Sequence, residues 1–464
     1  MKTIFDATCE QVQCYNYHLG LAEDLQHQIL FVNVDTEHLD LIKVREAINI
    51  MTKRHDSLRT AFSVIDGKLM QYVVPYEECQ VPFYYHDISG RKEVDQFIRE
   101  VDDDWRVRLK DTRNPPLWCC NVFKTSEQSY SLGFLIHHLV ADGWSLSIIL
   151  KEVNTLYWTL LNGETPGEHS LGMQVKDYAL LQKEWLLEKG GKVTAYWDKK
   201  LLQYNERAKF PKLFDLLDPS SGSYFPPGRM APLKTKEEII AFLNKAEASS
   251  YVCDIRLDLH QQVKYLADSS KMGLGAVIIA SLQLLFLSEV GRDQILIAMP
   301  VSGRYVQGTE NMIGYLGGGV YLAGRVDADK SVIDCIRSAQ VEFIESVQHI
   351  IYDHDLIGHM GHEIRVYTDL YLNYKNKEII GDRSIGAIRE KEHLRLDGTE
   401  YYPLSYFAAE LVDGIEGRWK HNLNLYTYDT VEKLATRHLA ILQLMCEHPG
   451  WSINQLVSSA NEII

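Results

Sequence analysis

The stretch Leu132-Gly-Phe-Leu-Ile-His-His-Leu-Val-Ala-Asp-Gly-Trp-Ser145 constrains the fold of this chain more than any other. It reads as a buried strand, Leu132 to His138, that runs into a short loop and then a helix, Trp144–Leu161. The strand is a short apolar run, with turn-rich sequence before it and Asp-Gly after it. Neighbouring strand residues point to opposite faces, so His137 and His138 cannot share a role. One should face the packing side of the sheet; the other should look out where the strand ends. Asp142 and Gly143 turn the chain into the helix. Two adjacent histidines, with an acid four residues later, look like a site built to hold one imidazole in place. The residues alone leave a second reading open: both histidines could be satisfied core residues, and Asp142 could simply cap the helix.

A chain of 464 residues has room for about two or three domains. With 46% hydrophobic and 24% charged residues it has the balance of a soluble globular protein. A net charge of −15 argues against a nucleic-acid partner, because phosphate binding needs basic patches. Eight cysteines occur without a Cys-x-x-Cys pair, so neither a zinc site nor a disulfide framework is expected. Cys119 and Cys120 are adjacent in a predicted strand. Reduced thiols and a cytoplasmic location follow as expectations. The N-terminus, Met1-Lys-Thr-Ile-Phe-Asp-Ala, lacks the apolar core of a signal peptide. The most apolar stretch, Leu274–Leu287, is interrupted by Ser281 and Gln283 and is too short to span a bilayer. It reads as a buried helix, and no membrane association is expected.

In chain order, His27–Val34 is a strand candidate and Leu39–Arg54 an amphipathic helix. Arg54-His-Asp-Ser-Leu-Arg-Thr-Ala-Phe62 reads as a helix end leading into a strand, Thr60–Val64, with Arg59 at the junction. Lys68–Val74 and Phe83–His86 are further strands, and Glu93–Asp111 is a charged helix. Pro115–Phe123 and Tyr130–His138 form a hairpin that delivers the histidines. Asn162-Gly-Glu-Thr-Pro-Gly-Glu-His169 is polar and turn-forming, a lobe boundary. Asp215–Lys236 reads as a loop, and Ser249–Leu257 as a strand. Leu259–Ser270 and Leu274–Val290 are helices, and Gln294–Pro300 is a strand. Tyr352–Glu363 holds His354, His359 and His362, but their spacing fits no standard zinc pattern, and no metal is expected.

His-His-Leu-Val-Ala-Asp-Gly-Trp-Ser resembles the active-site motif of condensation domains in nonribosomal peptide synthetases, His-His-x-x-x-Asp-Gly. These domains belong to the chloramphenicol-acetyltransferase-like superfamily. Arg54–Phe62 is similar to a second motif of the family, Arg-His-x-x-Leu-Arg-Thr-x-Phe. Pro300-Val-Ser-Gly-Arg304 and Ile313-Gly-Tyr-Leu316 resemble a third segment. Gln174–Ala179 and Ala195–Leu201 resemble the helical pair that crosses between lobes. Tyr402-Pro-Leu404, Gly417, Leu425–Tyr428, Thr430 and Val431–Glu447 with His438 follow the family's closing order. Two departures stand out. The family's usual Asn falls on Gly318, inside Gly317-Gly-Gly319, and its usual Ala-Gln-x-Arg is replaced by Cys9-Glu-Gln-Val-Gln13.

The resemblance implies an α/β fold of two chloramphenicol-acetyltransferase-like lobes. Each lobe is a mixed sheet with flanking helices, and the two form a V with a central tunnel. Residues 1–170 would form the N-terminal lobe carrying the histidine motif, and 171–464 the C-terminal lobe. The implied activity is amide-bond formation between a carrier-bound acyl or aminoacyl thioester and an amine acceptor, in nonribosomal peptide synthesis. The chain would then be a stand-alone, monomeric enzyme without a bound cofactor. Phosphopantetheine would be presented by a peptidyl or acyl carrier protein. His138 would sit at the reaction centre as base or positioning group, with His137 structural. Asp142 would hold the motif together by pairing with Arg304, or alternatively with Arg59. Gly143 would let the chain pass close to substrate and start the helix with free N–H groups. Trp144, Ser145 and Gly318 are candidates for the substrate tunnel. Two other readings remain: a coenzyme A-dependent or ester-forming acyltransferase, and a non-catalytic module that docks a carrier protein.

Overall fold

The computed structural model describes residues 3–20, 27–35, 39–167, 172–208, 248–350, 368–376, 402–411, 414–423 and 425–463. The predicted loop Asp215–Lys236 and the histidine-rich segment Tyr352–Glu363 lie outside the described residues. The chain separates into two compact units. The first runs to Lys189 and also takes in the distant segment Ser302–Gly317.

The first unit begins with strand β1 (Phe5–Asp6), helix α1 (Cys9–Gly20), strand β2 (His27–Asp35) and helix α2 (Leu41–Arg54). Asp40 starts α2: its Oδ1 accepts hydrogen bonds from the Ile42 and Lys43 amides at 3.0 and 3.1 Å. Strands β3 (Thr60–Ile65), β4 (Lys68–Val73) and β5 (Phe83–Asp87) follow, then helix α3 (Val94–Leu109). Strand β6 (Trp118–Ser126) pairs antiparallel with β7 (Ser129–His137), and helix α4 (Gly143–Leu161) leaves the far end of that hairpin. The sheet order β2-β7-β6-β5 places β7 inside the sheet. Its residues 130–137 are buried on both faces, which is why it reads as a continuous apolar run rather than an alternation. Ile149, Val153 and Leu156 of α4 share one core with Val44, Ile48 and Met51 of α2. Each such side chain contributes about 1.5–3 kcal/mol by leaving water.

Helix α5 (Val175–Ala208) is continuous, so the two helical segments expected here are one helix. The compact units divide inside it, between Lys189 and Gly190, and not at residue 170. The polar stretch is tied into the first unit instead. Arg54 Nη2 donates to the Gly167 carbonyl at 2.6 Å, and Gln174 Nε2 donates to the Arg54 carbonyl at 3.0 Å.

The second unit holds β8 (Ala248–Val252), β9 (Ile255–Arg256), α6 (Leu257–Ser270) and α7 (Leu274–Val290). It continues with β10 (Ile297–Val301), β11 (Gly318–Leu322), α8 (Val332–Val347) and β12 (Leu370–Lys375). Strands β13 (Leu404–Glu410) and β14 (Gly414–Asn422) and helices α9 (Tyr428–Glu447) and α10 (Ile453–Ile463) complete it. Among the described residues its strands form one mixed sheet in the order β11-β10-β12-β13-β14-β8, with β9 also on β14. Strands β10, β12 and β13 run parallel and the other pairs antiparallel. Helix α7 is buried on every side from Ala276 to Phe286, Ser281 and Gln283 included, as a helix apolar around almost its whole circumference requires. No single described helix is long and apolar enough to cross a membrane. His438 on α9 lies in this unit's core, where its Nε2 meets Ser281 Oγ at 2.9 Å and burial pushes its pKa down to about 3.

Candidate active site

Pairing in β7 stops one residue earlier than the sequence suggests. His137 is the last strand residue, in register with His27, and His138 opens a turn. The turn closes through the Val140 amide, which donates to the His137 carbonyl at 3.1 Å. Turn geometry, not strand alternation, therefore separates the two imidazoles.

The backbone assigns them opposite tautomers. His137 is fully buried, and its Nδ1 accepts the Leu139 amide at 3.0 Å. An accepting Nδ1 carries no proton. His138 Nδ1 lies 3.0 Å from the Ala141 carbonyl, which can only accept, so Nδ1 carries the proton and Nε2 is the basic nitrogen. Burial lowers the His138 pKa below its usual value. The charge of Asp142 and the Ala141 carbonyl offset this only in part. His138 is consequently neutral at neutral pH, and it is half-buried, unlike its neighbour. The turn is braced from α1, where the buried Gln11 side chain donates through Nε2 to the Leu139 carbonyl at 3.0 Å.

Asp142 fills both roles that its sequence position allowed. As the N-cap of α4, its Oδ1 accepts the Ser145 amide at 2.8 Å. It also forms a two-pronged pair with Arg304: Nη1 to Oδ2 at 2.7 Å and Nη2 to Oδ1 at 2.9 Å. Burial alone would raise the Asp142 pKa. The Arg304 charge and hydrogen bonds, with the Ser145 and Leu316 amides, outweigh it and hold the carboxyl below its usual value. The same two terminal nitrogens of Arg304 also donate to the carbonyls of Ser302 (3.0 Å), Met312 (3.0 Å) and Gly314 (3.2 Å).

Arg304 reaches Asp142 because the segment Ser302–Gly317 packs into the first unit, with Ile313 in its core. Gly303 makes the required turn. Its φ is +66°, and a Cβ there would sit 1.7 Å from the Leu316 carbonyl oxygen, so only glycine fits. The Leu316 amide then donates to Asp142 Oδ2 at 3.1 Å, and the Gly314 amide to Ser145 Oγ at 3.0 Å.

Five further expected site residues are placed as follows. Arg59 is buried but does not pair with Asp142. It binds Asp56 at 2.7 Å and the carbonyls of Thr52 and Val74, closing the junction between α2 and β3. Ser145 is fully buried, so it cannot line a substrate passage. Three residues past the cap, it faces inward and joins Asp142, Arg304 and Gly314. Gly143 is half-buried, and neither its φ nor the space around an added Cβ demands glycine. Gly318 opens β11 in the second unit, paired with Val301. Trp144 is half-buried; its Nε1 donates to the Glu310 carbonyl at 2.9 Å and its ring lies 5.9 Å from the Arg304 guanidinium.

Two residues beside the site escape sequence reading. Tyr315 places its ring 4.6 Å from that of His138, at an interplanar angle of 62°. Glu10 on α1 is fully buried, and Gln182 Nε2 donates to its Oε1 at 2.8 Å. Its Oε2 has no hydrogen-bond partner among the described residues. Burial pushes its pKa up to about 8, and the nearby Asp142 charge adds to the rise.

Two α/β units with mixed sheets, the first holding a neutral histidine beside an Asp–Arg clamp, are thus the frame in which the chain's relatives can be compared. The chain belongs to the condensation domain family, whose model, described as Condensation domain, matches residues 26–462. It is 24% identical over 436 residues to one of the linear gramicidin synthase proteins of Brevibacillus parabrevis, covering 90% of this chain and 8% of that protein. Against bacitracin synthase 1 of Bacillus licheniformis it is 22% identical over 430 residues, covering 90% of this chain and 7% of that protein. The chain thus spans less than a tenth of either relative's length. Among solved structures, the first condensation domain of the CDA synthetase has the same fold, at a TM-score of 0.70 and 14% identity, over 98% of both chains. The X-domain from teicoplanin biosynthesis, solved in complex with OxyB, matches at a TM-score of 0.66 and 18% identity, over 98% of this chain and 96% of that one.

Proposed function

We propose that this chain condenses a carrier-bound acyl or aminoacyl thioester with an amine acceptor in nonribosomal peptide synthesis. The observation that carries the reading is His138: half-buried, neutral, with its proton fixed on Nδ1 and its basic nitrogen at Nε2. In the reaction the amine nitrogen bonds to the thioester carbonyl carbon and the carbon–sulfur bond breaks. The amine gives up a proton, and the departing thiolate gains one. Nε2 of a neutral imidazole accepts the first and returns it as the second, so atoms and charge balance without a covalent enzyme intermediate. Holding both substrates together supplies the larger part of the acceleration. The thioester would arrive on a phosphopantetheine arm borne by a carrier protein. Asp142 keeps the turn and helix in place and does not touch the reacting atoms.

His138→Ala is expected to stay folded and to lose about 100-fold or more of amide formation. Mass spectrometry of product from a carrier-bound thioester and an amine reads this, with circular dichroism as the folding control. An unchanged rate in a folded variant would remove His138 from the chemistry. The likeness to the X-domain favours a second reading, a docking module. Carrier binding by a wild-type chain that turns over neither carrier nor coenzyme A thioesters would support that module.

A further inference from the structure

We propose that Tyr315 is a positioning residue that transmits the Asp142–Arg304 clamp to the His138 imidazole; the inference deepens the condensation reading and rests on it. Asp142, Ser145, Arg304, Gly314 and Leu316 are all buried. Within this cluster His138 and Tyr315 are the two half-buried side chains whose rings meet.

The backbone on both sides of Tyr315 is fixed by the clamp. Before it, the Gly314 amide donates to Ser145 Oγ at 3.0 Å. After it, the Leu316 amide donates to Asp142 Oδ2 at 3.1 Å. Ser145 and Asp142 are in turn held by Arg304 at 3.0 and 2.7 Å. Tyr315 is thereby pinned at both peptide neighbours, and its ring packs edge-on against His138. The Nδ1 hydrogen bond to the Ala141 carbonyl holds the imidazole along its ring plane. The Tyr315 ring, in edge contact, limits its rotation. This gives a buried ion pair that does not itself touch the imidazole's Nε2 a route to its orientation.

The test uses Tyr315→Phe and Tyr315→Leu in the full chain. If the ring does the positioning, Tyr315→Phe keeps kcat within about twofold, and Tyr315→Leu lowers kcat about tenfold with little change in KM, the upper range for an edge-to-face pair. Nitrogen-15 NMR of labelled histidine, with the His138 signal assigned by its loss in His138→Gln, gives a readout that needs no substrate. Wild type and Tyr315→Phe should show the single Nδ1–H tautomer, and Tyr315→Leu a mixture. A folded Tyr315→Leu chain that keeps one tautomer overturns the proposal, as does a change confined to KM. Because the NMR arm does not require turnover, failure of the condensation reading would show only in the activity arm.

Discussion

Asp142→Ala should cost the folded chain about 3–5 kcal/mol. The loss comes less from the attraction removed than from what stays behind. Arg304 is only 8% exposed, and without the carboxylate its charge is left uncompensated. The Leu316 and Ser145 amides lose their acceptor in the same step. Asp142→Asn keeps an oxygen for the Ser145 amide and should cost less. Pairing Asp142→Ala with Arg304→Met removes both charges and should recover part of the loss, a coupling that urea denaturation of the four species measures. Strict additivity, or a single-variant loss below about 1 kcal/mol, would show that the clamp is not a stabilising unit. The carboxyl's lowered pKa fixes the pH sense: this stability is present above the ordinary carboxylate pKa and disappears as pH falls through the lowered one.

Glu10 runs the other way. Its folded pKa of about 8 stands above the ordinary value of 4.5, so the folded chain keeps a proton that the unfolded chain releases. Stability should therefore fall as pH rises from 4.5, and the penalty is complete above about 8. For this group alone the gap corresponds to about 5 kcal/mol. Glu10→Gln retains the oxygen that accepts from Gln182 and removes the titration. Urea denaturation at pH 5, 6.5 and 8.5 should show a steep loss in the wild type and a shallower one in Glu10→Gln. Parallel slopes would mean that Glu10 ionises normally in the folded protein.

The strand, turn and helix around His138 are legible because an apolar run, an Asp-Gly step and a helical stripe follow one another. The last paired residue is not legible, since alternation says nothing about where hydrogen bonding stops. The Asp142–Arg304 pair spans 162 positions, so only the family resemblance points to it. Arg59 finds Asp56, a partner three residues away, and that local competitor is what the motif match hides. Ser145 falls on the cap's inward face, a matter of helix phase that the residue type does not reveal. The unbroken course of α5 is masked by Gly190-Gly191, each glycine costing a helix about 1 kcal/mol relative to alanine. Tyr315 lies inside a segment singled out for its motif, and its placement depends on the turn at Gly303 and on the packing of the whole segment into the first unit. Glu10 lies in a segment that departs from the family pattern, but its burial is not legible, because a glutamate is ordinarily a surface residue.

The return of Ser302–Gly317 into the first unit has a consequence for how the chain is made. Synthesis delivers His138 and Asp142 well over a hundred residues before Arg304. During that interval the nascent first unit lacks Ile313 from its core and the counter-charge for Asp142. A fragment ending at Lys189 would emerge with the histidine motif complete in sequence and incomplete in structure. Maturation of the histidine turn is thus coupled to translation of the second unit's first strands, a contact of high sequence separation that slows folding and keeps apolar surface open until the segment arrives.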